Sequence, residues 1–141
     1  MKTIATLCDE DAMRAIAAIK AELDRLGKKG VIAVVDAHGE TLALLRMHGA
    51  ALSSINVATN KAFTAARLRR PSAEVGKRVR HPENGIDISY YGDPRYIGFG
   101  GALPVVVDGA VVGAVAVSGL TDKEDEDLSA IGIAAILEAK R

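Results

Sequence analysis

Cationic, imidazole and phenolic side chains collect in three short stretches of this chain. Arg46 and His48 stand two apart in "RMHGA", Lys61 and Thr64 three apart in "NKAFTAA", and Tyr90, Tyr91, Arg95, Tyr96 and Phe99 lead into Gly100-Gly101. A guanidinium holds a carboxylate through two parallel hydrogen bonds. An imidazole beside it can serve as general base, general acid or iron ligand. Phenols supply apolar contact and a hydrogen bond together, which suits a pocket wall. These types predict a site for a small anionic molecule. Its catalytic set is His48, Arg46, Lys61 and Tyr91, and its binding set is Arg95, Tyr90, Tyr96, Thr64, Gly100 and Gly101.

Gly98, Gly100 and Gly101 raise a question of their own, because a strand entry has no structural need for three glycines in four positions. They would let backbone N–H groups approach an anion or a flat ligand without interference from Cβ; the alternative is a bulge or tight turn. No Gly-Lys-Ser/Thr follows, so this is not a P-loop. No His/Cys/carboxylate spacing suggests zinc. His38 in a turn and His81 after a basic stretch read as solvent-exposed, and the single Cys8 cannot form an internal disulfide.

These residues need a frame to position them. In "LCDEDAMRAIAAIKAELDRLG" apolar residues recur at helical spacing behind an acidic first turn, and Gly27 stops the pattern. "VIAVVDAHGETLALLR" gives two strands around a glycine-containing turn. "SSINVATNKAFTAARL" is a helix capped by Ser53 or Ser54, with small residues on the face that would lie against a sheet. Pro71-Ser72 restarts a short helix, a loop runs from Pro82 to Arg95, and Asp108-Gly109 joins strands 103–107 and 110–118 as a type I′ hairpin. Thr121 and Glu124 open the last helix as a capping box. The predicted fold is α+β, an antiparallel β-sheet built from two hairpins and flanked by α-helices, in one domain over residues 1–141. The strand from Val111 to Val117 is apolar on both parities, so both its faces are expected to be covered, by helices or by a partner subunit.

Lysine plus arginine total 18, as do aspartate plus glutamate. That balance offers nothing to nucleic acid or an anionic membrane. No apolar run reaches the length of a membrane span and no signal segment opens the chain, which predicts a cytoplasmic protein. The basic run "RLRRPSAEVGKRVRH" and the acidic "TDKEDED" suggest pairing between subunits of a homo-oligomer.

"VVDAHGETLALLRMHGA", "ATNKAFTAA", "GFGGALPVVVDGAVVGAVAVSG" and "TDKEDE" together resemble the GlcG/HbpS family, whose relatives include the C-terminal domain of PduO-type proteins. The resemblance implies an antiparallel sheet flanked by helices, dimers or larger homo-oligomers, and a pocket near the glycine turn. It also implies haem binding, or action on haem, in some relatives. The chain departs from the family pattern at His48, where an aspartate is usual, and at Leu120, where a glycine is usual. PduO-type haem binders carry an iron-ligating histidine in the first helix, and residues 9–26 hold none. Two functions follow. The leading expectation is a cofactor-free enzyme that moves protons on a small unsaturated carboxylic acid of the aminomuconate type, by deamination, tautomerisation or hydrolysis. The alternative is a haem or tetrapyrrole module with His48 on the iron, Arg46 or Lys61 on the propionates and Gly100-Gly101 against the ring.

Overall fold

The computed structural model describes residues 1–141. Its elements follow the local signals closely. Helix α1 (Asp9–Leu26) ends where Gly27 turns left-handed at φ 66°. Strands β1 (Val31–Asp36) and β2 (Thr41–Arg46) form the first hairpin. Helices α2 (Ser54–Leu68) and α3 (Ser72–Val79) follow, then a 3-10 turn at Ile88–Tyr91 inside the loop. Strands β3 (Ala102–Val107) and β4 (Ala110–Ser118) make the second hairpin, and α4 (Asp122–Glu138) closes the chain. Asp108 at φ 50° and Gly109 at φ 76° both take the positive φ that a type I′ turn demands. The capping box forms: Thr121 Oγ1 accepts the Glu124 N–H at 3.2 Å, and the Glu124 carboxylate accepts the Thr121 N–H. Ser53 does precede α2, but its hydroxyl makes no capping bond.

The four strands run antiparallel in the order β2-β1-β4-β3, so the two hairpins join through β1 and β4. One face carries Ile32, Val34, Val115 and Val117 against α1 and α4. The other carries Val31, Ala33, Val35, Ala114 and Ala116 against the alanines of α2. Both faces of β4 are therefore covered by helices of the same chain, and a partner subunit is not needed for that purpose. The simple parity of β4 is corrected at one point. A bulge between Val105 and Val106 shifts the register near Gly113, and Val112 joins the α1/α4 face with Val115. No helix is long and apolar enough to cross a membrane.

Candidate functional site

At the end of the sheet where β1 begins and β4 finishes, a lysine passes from one helical layer to the other. Lys61 rises from α2, yet its Nζ donates to Gly100 O at 3.0 Å, to Val117 O at 2.5 Å and to Asp125 Oδ2 at 3.2 Å. Asp125 belongs to α4, which lies on the opposite face of the sheet. Its second oxygen accepts the Leu120 N–H at 3.2 Å. An ammonium has three protons, and all three are used. The two side chains are 1% and 3% exposed. Burial lowers the Lys61 pKa and raises that of Asp125, each partly opposed by the charge of the other.

The glycines explain this crossing. At Gly101, where φ is 123°, a Cβ would stand 2.5 Å from Lys61 Nζ and 2.8 Å from Asp125 Cβ. The Gly100 N–H donates to Asp122 Oδ2 at 3.1 Å, an anion of the chain itself. A Cβ on Gly98 would come within 2.9 Å of Gly76 Cα, and one on Gly76 within 2.0 Å of Gly98 O, because α3 presses on the loop there. The close approach expected at these glycines is real, but protein atoms make it. Gly100 and Gly101 thus have no open face for a ring, which corrects the expectation that a flat ligand lies on them.

Beside the pair opens a cleft of about 320 Å³ lined by Ser53, Ser54, Phe99, Ser118, Leu120 and Asp122. The departure at Leu120 adds an apolar wall to it. One lysine faces two aspartates here, so the cleft is not a clamp for an anion. Asp122 and Asp125 were missed because "TDKEDED" reads as a solvated charge run. The signal was present in the spacing of Asp125 with Leu128, Ser129, Gly132 and Ile136, the buried stripe of α4.

The remaining predicted residues do not converge on this cleft. Arg46 ends β2 in the cross-strand row it shares with Val31 and Ser118, on the α2 face, and is exposed. His48 is exposed in the turn that follows. Arg95 lies at the other end of β2, donating to Glu40 at 3.1 Å and to Asp93 at 3.0 Å with its guanidinium 4.0 Å over the Phe63 ring. Those carboxylates, Asp93 first, raise its pKa. Six residues of strand separate the ends of β2 by about 17 Å. Arg46, Lys61 and Arg95 therefore cannot hold one small acid together. Thr64 ties the loop to α2, donating to Asn60 O at 2.8 Å and accepting the Ile97 N–H at 3.0 Å. Tyr96 packs on Phe63 with ring centroids 4.9 Å apart, and Tyr91 packs on Tyr96 at 4.8 Å. Tyr90 is 89% exposed. Tyr91 and Tyr96 pin the loop, Tyr90 takes no part in that packing, and the three phenols line no common wall.

Residues 7–134 match the family described as haem degrading protein HbpS-like. An uncharacterised 15.0 kDa protein of Citrobacter freundii, from the dhaT-dhaS intergenic region, is 35% identical over 89% of each chain. The crystal structure of Klebsiella pneumoniae ORFY is 30% identical and superposes with a TM-score of 0.91, covering 97% of this chain and 94% of that one. The crystal structure of a PduOC:haem complex is 27% identical with a TM-score of 0.84, covering 93% of this chain and 95% of that one. The cofactor-free expectation is corrected by these relatives, since the matching family is described by haem degradation and a domain of this fold was solved with haem.

Proposed function

The chain belongs to the HbpS-like family, and on that premise we propose that it is a haem-binding protein. The observation that carries this reading is the haem complex of a domain whose fold matches nearly all of this chain. The donor set supports it. No histidine stands in α1, but two others have free imidazoles. His38 bonds through its backbone alone, with its N–H on Asp36 and its C=O accepting from Arg67. His48 is exposed at the foot of β2 beside Arg46. His81 is a poorer donor, because its Nδ1 already accepts the N–H groups of Glu83 and Asn84. Bound haem supplies redox and oxygen chemistry. The chain would contribute an axial nitrogen, cations for the propionates and apolar walls that exclude water.

Proton transfer on an unsaturated acid of the aminomuconate type needs Arg46, Lys61 and Arg95 at one substrate. Their separation removes the support that reading drew from the sequence. Titrating the chain with haemin is expected to give a sharpened Soret band that saturates at one equivalent. An absorbance rise without saturation would reject haem binding. Consumption of an amino-substituted unsaturated dicarboxylic acid by the haem-free chain would restore the proton-transfer reading.

A further inference from the structure

We propose that haem enters at the turn end of the sheet, with His38 as its iron ligand and Arg69 on a carboxylate, an assignment that rests on the haem-binding reading above. The cavity there measures about 760 Å³, against about 320 Å³ for the cleft beside Lys61, and it falls within the range of pockets that enclose large organic ligands. Its floor is made where the N-terminal segment runs along β4, held by Leu7 N–H to Val112 O at 2.9 Å and by Ala37 N–H to Thr6 Oγ1 at 3.0 Å. Ile4, Val106 and Val111 give it apolar walls, and Ile4 and Val106 are 56% and 47% exposed. A planar hydrophobic ring would cover them.

Two polar groups from different elements point to the chemistry of the occupant. His38 comes from the β1–β2 turn and Arg69 from the end of α2, and no carboxylate lines the cavity with them. Two nearby arginines are paired, Arg67 and Arg95 with Glu40 and Arg95 with Asp93 as well, whereas Arg70, next in the chain, bonds only the Leu68 carbonyl and does not line the cavity. Arg69 makes no ion pair. Its backbone is also held at φ 57°, the left-handed position that closes a helix and that glycine occupies at least cost. Without a carboxylate partner and lining the cavity, Arg69 leaves its guanidinium available to an occupant. An unpaired guanidinium and a free imidazole that line one cavity with Ile4, Val106 and Val111 suit a planar ring that carries both carboxylates and a metal. The Lys61 cleft offers no such set, because its lysine has no free proton and its other charges are acidic.

The test compares the unaltered chain with His38→Ala, Arg69→Gly and His48→Ala in haemin and iron-free protoporphyrin titrations, with thermal unfolding of each haem-free protein as the control for folding. His38→Ala should lose the sharpened Soret band for haemin while leaving protoporphyrin binding nearly unchanged. Arg69→Gly should weaken both ligands about tenfold or more, the share of a charged hydrogen bond. It should not lower the unfolding temperature, because glycine relieves the left-handed backbone, and this separates a binding role from a structural one. Haemin binding that survives both variants and fails in His48→Ala would overturn the site while leaving the haem reading intact. Absence of saturable haemin binding by the unaltered chain would overturn that reading, and this assignment with it.

Discussion

Lys61 and Asp125 are charged groups taken out of water, and that sets what their removal does. Replacing one of them leaves the other buried without a counter-charge. Lys61→Met, which also takes the donor from Gly100 O and Val117 O, should destabilise the fold by about 3–5 kcal/mol in urea unfolding, whereas Lys61→Met combined with Asp125→Leu should recover most of that loss. The pH dependence follows from the two shifts. Asp125 has a raised folded pKa, so the stability it contributes is present below the ordinary aspartate value and is lost as pH rises through the folded one. Lys61 has a lowered folded pKa, so its contribution is present above the ordinary lysine value and is lost as pH falls through the folded one. Between the two folded values both charges are borne at full desolvation cost. The double variant should therefore compare best with the unaltered chain near neutral pH and worst at either extreme; unfolding midpoints near pH 4, 7 and 10 would measure this, and the opposite order would show that attraction outweighs burial.

At the scale of elements, α3 is seated by a contact that only glycine permits. Gly76→Ala would bring a methyl within 2.0 Å of a backbone oxygen that cannot swing aside, so α3 must lift from the loop before β3. A loss of about 1–3 kcal/mol is expected, together with faster hydrogen exchange confined to α3 and residues 96–100. Unchanged stability would mean that the loop relaxes at no cost. The same contact shows what was legible beforehand. Both hairpins, the cap of α4 and the stop at Gly27 were readable because each is written in adjacent residues. The reason for the glycines was not, since it depends on Gly76, Asp122 and Asp125, which lie far along the chain from residues 98–101. Arg95 and Thr64 read as ligand-binding for a similar reason. Their residue types suit a site, but Glu40, Asp93 and Ile97 are the groups they meet.

For the molecule as a whole, we propose the homo-oligomer expected from the sequence, on different grounds. The covered faces of β4 no longer argue for a partner. Leu52, Tyr90 and Phe99 do, being 70%, 89% and 57% exposed, as does β2, a sheet-edge strand with no proline to blunt it. Sedimentation velocity at micromolar concentration should show a species larger than one chain, and a pure monomer would reject it. A different consequence follows from the lysine that crosses the sheet. Its partner lies 64 residues further on, β1 sits between β2 and β4, and α1 packs against α4. Residues 9–68 leave the ribosome before any of these later partners has been made. The first hairpin and α2 emerge with a lysine that has no anion and an alanine face that has only half a sheet, so the layers close only once the final helix is free. Closure of this fold therefore waits for α4 to leave the ribosome, and its early segments depend on residues translated well after them.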